Sequence, residues 1–355
     1  MGSSCFESAR EVTPEWLTSV VRRAGLTESA VAAVSRRPVN QLSTSCALMR
    51  LALTYADENV PAPSSLVLKL PLFDEPTAAF ARDGRHYVRE VVFYSSVAPR
   101  SCIALPRCYD SCFDEAGDRF HLLLEDCFHG HSTCGFEPGP SIAVLFQAVV
   151  WLAAFQAQWW NRPDLIGPLA QLPTPWAGPI SDGEGLRQFF DLARDHMSDR
   201  ERRVCTLVFE HWSSLQDRSS KELTLRHGDF HPLNMFVPMT PHDHFLVVDW
   251  QFCEVGNGTA DLADLLGLYI HPQDRREWGD QLLRRYWEEL IANGVDDYDW
   301  EACQNDYRVE TVKNVLAPVF LLTIPRLPRS GIVFRFKQAI LAFDDAHGEE
   351  VLRSL

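Results

Sequence analysis

The length, composition and charge of the chain exclude several classes of protein. With 355 residues it can hold two lobes or up to three ordinary domains. Hydrophobic residues make up 46% and charged residues 23%, which is typical of a folded globular protein and not of a disordered one. The formal net charge of −15 argues against nucleic acid as a partner, because binding a phosphate backbone requires clustered Lys and Arg.

The ten cysteines are scattered along the chain without a CxxC pair. This favours reduced, mostly buried thiols over a disulfide framework. Cys108, Cys112 and His121 could be metal ligands, but they lack a second cysteine pair, so we do not expect a zinc site. Residues 1–16 also lack the charged and then apolar pattern of a secretory signal. These features predict a cytoplasmic protein.

One apolar segment, Ile142–Trp160, is long enough to raise the question of a membrane span. It contains no formal charge, but Gln147, Gln156 and Gln158 would be costly in lipid. We therefore expect a buried core helix and no membrane partner.

The first part of the chain predicts a helix followed by a sheet. Thr13 followed by Pro14 is typical of a helix start. A Ser/Thr-rich turn separates two β-like runs within residues 39–55. The apolar patterns then predict strands at Ser64–Leu70 and Arg119–Phe128, and between them a helix that carries Tyr87, Glu90, Val91 and Tyr94.

Beyond about residue 130 the pattern changes to long helices, which begin near Ile142, Gly185 and Arg202 and continue to the C-terminus. Residues 126–140 are rich in loop-forming types, which indicates a boundary. We therefore expect an α+β architecture with an N-terminal lobe at residues 1–126 and a C-terminal lobe at residues 127–355.

A polar motif, LRHGDFHPLNMF at Leu225–Phe236, lies between two apolar runs. It holds Asp229 and Asn234 five residues apart, and the following run FLVVDWQ predicts a strand that ends at Asp249. Oxygen ligands in that number suit Mg²⁺, which takes its remaining ligands from phosphates and water. Phosphoryl transfer needs one carboxylate to accept a hydroxyl proton and further oxygens to hold the metal. Taken alone, either piece of the motif would more often be a pair of residues that cap turns.

Two further residues favour the catalytic interpretation. Lys69 is a single cation in an apolar strand, where an unpaired charge would be costly. Glu90 on the next predicted helix could pair with it, as a strand lysine and a helix glutamate do in kinases. The spacing of HxDxxxxN equals that of the kinase catalytic loop, and DWQ takes the place of DFG. The order of these four elements along the chain therefore predicts a phosphotransferase site.

The motifs resemble those of the aminoglycoside phosphotransferase and choline kinase group of small-molecule kinases. HGDFHPLN followed by VVDWQ is similar to that group's signature, and KL, LLLED and GTADLADLL extend the likeness across most of the chain. Residues Arg284–Arg308 look most like the ecdysteroid-kinase-like branch. The resemblance implies a bilobal protein-kinase-like fold, with a small N-terminal lobe around an antiparallel sheet and a larger, mainly helical C-terminal lobe.

The resemblance also implies ATP and Mg²⁺ as cofactors. By it, Asp229 would be the catalytic base, Asn234 and Asp249 the magnesium ligands, and Lys69, paired with Glu90, the contact to the nucleotide phosphates.

The remaining nucleotide contacts are expected from two other segments, one of which departs from the family pattern. By the resemblance, groups near Glu125, Asp126 and Cys127 would meet the adenine. The loop that should cover the phosphates, LSTSCAL, contains no glycine. Its hydroxyl and N–H groups would have to replace the close backbone approach that glycine permits. The residues concerned are Ser43, Thr44 and Ser45.

Other polar residues are expected to support the site. We predict that His227 holds the motif by hydrogen bonds and that Gln156 faces the core. His231 could contact the substrate, although a structural role is the stronger expectation. Asp261 and Asp264 lie at a predicted helix start, where acidic residues suit the helix dipole.

The acceptor should be a small hydroxylated molecule, because the eleven residues between Asp249 and Asp261 are too few for a peptide-docking activation segment. Trp287, Trp300 and the apolar run at residues 315–325 would favour an apolar alcohol such as a steroid or polyketide. Alternatively, acidic residues could bind an amine-bearing substrate, or could simply form a solvated surface. These are Glu254, Asp296, Asp297, Asp299 and Glu301.

We therefore expect an ATP-dependent kinase, acting as a monomer or homodimer, that phosphorylates a small-molecule hydroxyl. An antibiotic is the first specific acceptor, as for aminoglycoside phosphotransferases, and a metabolite or steroid-like alcohol is the second. The alternative is a catalytically silent nucleotide-binding protein, which the glycine-free loop favours and the retained site residues disfavour.

Overall fold

The N-terminal part of the protein is a five-stranded antiparallel sheet with the strand order β1-β2-β3-β5-β4. The structure is a computed structural model that describes residues 5–39, 45–57, 59–116, 119–175, 183–218 and 222–355. The strands are β1 (Val31–Pro38), β2 (Cys46–Tyr55), β3 (Ser65–Pro71), β4 (Cys108–Asp114) and β5 (Arg119–Glu125).

Helices cover both faces of this sheet. They are α1 (Pro14–Arg23), α2 (Glu75–Asp83) and α3 (His86–Val92), and a π-helical turn at Phe93–Val97 extends α3. The hydroxyl of Thr13 accepts a hydrogen bond from the N–H of Trp16, so the predicted start of α1 is confirmed.

Strand β3 lies at the centre of the sheet, and all of its residues are buried. Because side chains alternate along a strand, Leu66, Leu68 and Leu70 share one face, where they pack in the same apolar cluster as α1. Lys69 points to the opposite face, the side of α3, where Tyr87 stacks on Phe120 of β5.

The C-terminal part is mainly helical and carries two small antiparallel sheets, of order β6-β8-β9 and β10-β7. The strands are β6 (His131–Thr133), β7 (Thr224–Arg226), β8 (Met235–Pro238), β9 (Leu246–Val247) and β10 (Glu254–Gly256). The helices are α4 (Ile142–Trp159), α5 (Pro163–Ile166), α6 (Glu184–Leu192), α7 (Asp199–Glu210), α8 (Trp212–Arg218), α9 (Thr259–Asp264), α10 (Pro272–Ala292), α11 (Trp300–Lys313), α12 (Ala317–Leu321), α13 (Arg329–Asp345) and α14 (Gly348–Arg353). The predicted α+β architecture is confirmed, and the lobe boundary after residue 126 stays a prediction.

Helix α4 is the central helix of the C-terminal part and packs against α10. By length and composition it could cross a membrane, with a mean hydropathy of 1.5, but half of it is buried inside the protein. The side-chain amide of Gln156 is fully buried and donates to the carbonyl of Gly258 and to the Asp261 carboxylate. Gln156 therefore faces the core, as predicted.

The prediction of reduced cysteines is wrong at one pair. Cys5 and Cys112 form a disulfide that ties the N-terminal segment to β4 across 107 residues of sequence. Cysteine spacing could not show it, because the sheet brings the two residues together only after folding. The disulfide also weakens the support that the cysteines gave to a cytoplasmic location, since stable disulfides are typical of oxidising compartments. The other eight cysteines are not in disulfide bonds.

Candidate active site

The loop after β7 holds the first two predicted site residues. A short 3₁₀ turn, Pro232–Asn234, brings the side chain of Asn234 back onto Asp229. The amide nitrogen of Asn234 donates to the backbone carbonyl of Asp229 at 3.0 Å and lies 3.5 Å from its carboxylate. The side chain of Asp229 is 24% exposed, so it can reach a ligand while the loop beneath it stays buried.

His227 holds this loop against the next one, as predicted. Its Nε2 lies 3.0 Å from the carbonyl of Val248, and its Nδ1 accepts the backbone N–H of Asp229. Burial lowers the pKa of His227, so its ring is neutral and carries its proton on Nε2. This residue therefore fixes the backbone beside Asp229 and beside Asp249 at once.

Asp261 is more than a residue that suits a helix dipole. Its carboxylate is fully buried and accepts the backbone N–H groups of His227 and Gly228 at 2.7 and 2.8 Å. The prediction of a structural role is confirmed, but the mechanism is direct anchoring of the catalytic loop.

Gly228 is required at its position by both conformation and space. Its φ is +77°, and a Cβ atom there would lie 2.3 Å from the carbonyl oxygen of Phe252. An L side chain would be strained in this left-handed region, and the backbone oxygen could not move aside cheaply. The glycine thus permits the close approach of the two loops that carry Asp229 and Asp249.

Asp249 does not end a long strand. Strand β9 covers only Leu246–Val247, and Asp249 adopts a left-handed conformation, with φ of +69°, before a 3₁₀ turn at Trp250–Phe252. Such a conformation is uncommon outside glycine and is often found at functional sites. The strand pattern could not predict it, because the apolar residues after Asp249 are buried in the turn by ring contacts such as that of Trp250 with Phe93.

Lys69 joins the N-terminal sheet to this loop. Its ammonium lies 2.7 Å from the Glu90 carboxylate and 2.6 Å from that of Asp249, so the predicted Lys69–Glu90 pair is present. Burial alone would lower the pKa of Lys69, but the two carboxylates raise it well above its ordinary value. Lys69 is therefore a fixed cation at the junction of the two lobes.

The donor set fits a magnesium ion. Because the amide nitrogen of Asn234 is occupied by Asp229, its amide oxygen is the atom left for a metal. The N–H of Val248 donates to the carbonyl of Asn234, which holds the two candidate ligands on neighbouring loops. Asp249 is 27% exposed and supplies a hard carboxylate oxygen. Mg²⁺ commonly takes one or two such ligands and completes its shell with water and phosphate.

The three residues that were predicted to lie near the adenine, at the end of β5, differ in their exposure. Glu125 is exposed, Cys127 is buried, and Asp126 is buried with its carboxylate bound to Arg50 and to the hydroxyl of Ser65. The side chain of Asp126 is therefore structural, which leaves the backbone as the part of this segment able to meet an adenine.

The glycine-free loop is described only in part. Ser43 and Thr44 lie outside the described residues. The hydroxyl of Ser45 is fully buried and donates to the side chain of Gln251 at 2.7 Å, so it is occupied within the protein.

A cavity of about 750 Å³ opens between the N-terminal sheet and the C-terminal part. Arg37, Arg50, Phe128 and Leu233 are among the residues that line it. Its volume suits a nucleotide-sized ligand. None of the predicted nucleotide or metal contacts that the structure describes is among its lining residues, so the cavity lies beside the predicted nucleotide site and does not contain it.

A second cavity, of about 550 Å³, lies behind the catalytic loop and is lined by Gly228. One wall is apolar and includes Ala317, Phe320 and Leu321 from the run that was predicted to favour an apolar alcohol. The other wall is polar, and its charges are largely paired with each other: Arg226 with Glu254, and Lys313 with Glu310.

Of the five acidic residues considered for amine binding, only Glu254 lines this cavity, and it is paired with Arg226. The others lie on exposed surface, which fits the alternative of a solvated surface. They are Asp296, Asp297, Asp299 and Glu301. Trp287 and Trp300 contact each other and Arg284, and neither lines the cavity.

Asp264 lines the second cavity and makes stability depend on pH. Burial raises its pKa from 3.8 to about 8, although the charge of Arg226 opposes the shift. A raised carboxyl pKa stabilises the fold fully below the ordinary pKa, and this stabilisation is lost as pH rises through the folded pKa. We therefore expect Asp264→Asn to match the wild type in unfolding free energy near pH 4 and to exceed it increasingly up to pH 9. Urea unfolding across this range, with Asp296→Asn as an exposed control, measures the difference.

The residues that were considered as zinc ligands are only partly brought together. Cys112 and His121 do lie close together, with Cys5 and not Cys108 as the third member of the group. Because Cys5 and Cys112 are joined in the disulfide, their sulfurs are not available as thiolates.

The sequence missed a cluster beside Asp229. The ring of His231 lies 5.0 Å from Tyr269 and 5.7 Å from Phe136, and the guanidinium of Arg335 lies over the latter two rings. Nε2 of His231 is 3.3 Å from the Asp229 carboxylate. Burial would raise the pKa of Asp229, but the charge and hydrogen bond of His231 hold it below its ordinary value. No local spacing links these residues, which come from four distant segments.

Comparisons with known proteins support the fold. The sequence model of the ecdysteroid kinase-like family matches residues 184–295, which include the catalytic loop and Asp249. A search of curated protein sequences finds no match.

Solved structures match over nearly the whole chain, at low identity. A putative aminoglycoside phosphotransferase from Ralstonia eutropha is 13% identical, with a TM-score of 0.56, and the match covers 94% of this chain and 97% of that one. A macrolide 2′-phosphotransferase from Brachybacterium faecium is 15% identical, with a TM-score of 0.51 and coverage of 91% and 97%. A choline kinase from Cryptosporidium parvum is 10% identical, with a TM-score of 0.52 and coverage of 96% and 98%.

The protein therefore has the bilobal protein-kinase-like fold that these small-molecule kinases share. The resemblance to aminoglycoside phosphotransferases, choline kinases and the ecdysteroid kinase-like family is confirmed. A shared fold does not define the acceptor, which has to be argued from the site.

Proposed function

We propose that this protein is an ATP- and Mg²⁺-dependent kinase that phosphorylates a hydroxyl group of a small molecule. The observation that carries the proposal is the ion pairing of Lys69 with both Glu90 and Asp249. This pairing joins residues far apart in sequence, and the loop of Asp249 is held against the neighbouring loop that carries Asp229 and Asn234.

Each residue then has a defined task. Asp229 accepts the proton of the acceptor hydroxyl while the oxygen of that hydroxyl forms a bond to the γ-phosphorus of ATP. The bond between this phosphorus and the bridging oxygen breaks, and ADP leaves. Its low pKa keeps it ionised and ready for this role at neutral pH. Lys69 binds phosphate oxygens, and Asn234 and Asp249 hold the magnesium ion, which neutralises phosphate charge when it is bound.

Two acceptor classes have specific support. The first is an antibiotic hydroxyl, since the related folds include a macrolide 2′-phosphotransferase and a putative aminoglycoside phosphotransferase. The second is an apolar alcohol of a metabolite or steroid type, which is favoured by the apolar wall of the second cavity.

Transfer assays test the proposal directly. The protein is incubated with ATP and Mg²⁺ and a panel of macrolides, aminoglycosides, amino alcohols and steroid polyols. ADP release and the mass of the phosphorylated product are then measured. We expect transfer to at least one class, abolished by removing Mg²⁺. If ATP raises the melting temperature but no acceptor is phosphorylated, a silent nucleotide-binding protein is the better conclusion.

A cytoplasmic location and a monomeric or homodimeric state, without nucleic-acid or membrane partners, stay part of the proposal. The net charge of −15 supports the absence of nucleic acid.

A further inference from the structure

Beside Asp229 lies a cluster of two rings and two basic side chains, here called the acceptor cluster: Phe136, His231, Tyr269 and Arg335. Phe136 and Tyr269 stack at 5.5 Å between ring centroids. The guanidinium carbon of Arg335 lies 5.2 and 4.9 Å from these two rings, and His231 packs against both. The faces of the aromatic pair are thus already occupied by a cation of the chain itself.

Two nitrogens of this cluster are buried and lack a hydrogen-bond partner within the described residues, Nδ1 of His231 and Nε of Arg335. Nη1 of Arg335 donates to the carbonyl of Gly331 in its own helix, α13, and the guanidinium also hydrogen-bonds the side chain of Tyr269. None of the described carboxylates forms an ion pair with Arg335, whereas Lys337 on the same helix is paired with Glu201. Buried polar atoms without partners are costly, and each one requires an explanation, such as a ligand that completes its hydrogen bonds.

The location of the cluster determines which ligand it meets. His231 contacts Asp229, and the proposed function brings the reacting hydroxyl to that carboxylate. A group next to this hydroxyl would therefore face His231 and Arg335. An ammonium group there would be repelled by the guanidinium, and an oxygen would accept the free Nε–H of Arg335.

We propose that His231 and Arg335 form a subsite for an oxygen-bearing group next to the reacting hydroxyl, a carboxylate or a second hydroxyl, and that the subsite discriminates against acceptors with an amine at that place. The inference rests on the proposed function for the position of the reacting hydroxyl. It favours polyols and hydroxy acids over amino alcohols as acceptors. The net charge of −15 alone would instead favour a cationic, amine-bearing acceptor.

Three probes of matched size separate these outcomes: glycolate, ethylene glycol and ethanolamine, which carry a carboxylate, a hydroxyl and an amine next to a hydroxyl. Melting temperatures are measured with each probe at constant ionic strength for the wild type, Arg335→Gln and Lys337→Gln. We expect glycolate to raise the melting temperature most, ethylene glycol less and ethanolamine not at all. Arg335→Gln should lose the glycolate shift, and Lys337→Gln, which removes a paired cation from the same helix, should keep it.

The proposal is overturned if no probe shifts the wild type, if ethanolamine shifts it as much as glycolate, or if Arg335→Gln retains the order. Failure of the kinase function gives a different pattern. In that case the Arg335-dependent shifts persist, but neither these probes nor the wider panel release ADP from ATP. Conversely, Asp229-dependent turnover with no effect of Arg335→Gln would leave the kinase standing and remove the subsite.

Discussion

Replacing Asp229 with Asn is expected to lower kcat for phosphoryl transfer by about 10²- to 10⁴-fold, the usual contribution of a positioned general base. Asn has nearly the same shape, so the contacts of residue 229 with Asn234 and His231 can largely be kept. What is lost is the ability to accept the hydroxyl proton. ADP release in the presence of a competent acceptor measures the effect.

The same variant should still bind ATP, because Lys69 and Asp249 are untouched. The rise in melting temperature with ATP and Mg²⁺ should therefore match that of the wild type. Asp195→Asn, at an exposed carboxylate, controls for the loss of one negative charge. Unchanged turnover in Asp229→Asn would remove this residue from the catalytic role.

The parts of the site that the sequence predicted are local ones. Asp229 and Asn234 lie within one short loop, so their spacing nearly determines their contact. Lys69 was recognisable because a cation in a buried strand requires a partner, and Glu90 in the middle of the next predicted helix matched the lysine–glutamate pair of kinases. Chain order then identified Asp249, although its left-handed conformation could not be predicted from an apolar strand pattern.

The parts that could not be predicted depend on tertiary packing. The Cys5–Cys112 disulfide joins residues 107 positions apart, and no spacing rule selects one pair among ten cysteines. Arg335 approaches Tyr269 only because α13 packs against the π-helical turn Leu265–Tyr269. Asp261 looked like a helix-start residue, and its two hydrogen bonds to the catalytic loop appear only when that loop folds over α9.

The largest effect on stability is expected at Lys69. Lys69→Met keeps the apolar stem of the side chain but leaves the buried Glu90 carboxylate beside that of Asp249 without a cation between them. Removing one partner of a buried ion pair typically destabilises a protein by about 3–5 kcal/mol. We expect a loss of this size in the free energy of unfolding, measured by urea titration at pH 7, together with loss of phosphoryl transfer.

A double variant separates stability from function. Lys69→Met with Glu90→Leu replaces the buried Lys69–Glu90 pair by apolar groups, and such replacements are often neutral in stability. The Asp249 carboxylate also loses its cation, but it is 27% exposed and can be solvated. The double variant should therefore recover most of the lost unfolding free energy and still fail to transfer phosphate, because no cation remains at residue 69 to bind the nucleotide phosphates. Recovery of both properties would mean that Lys69 acts only on the fold. If Lys69→Met were as stable as the wild type, Glu90 and Asp249 would not depend on this cation. The assignment of Lys69 as the central cation of the site would then be wrong.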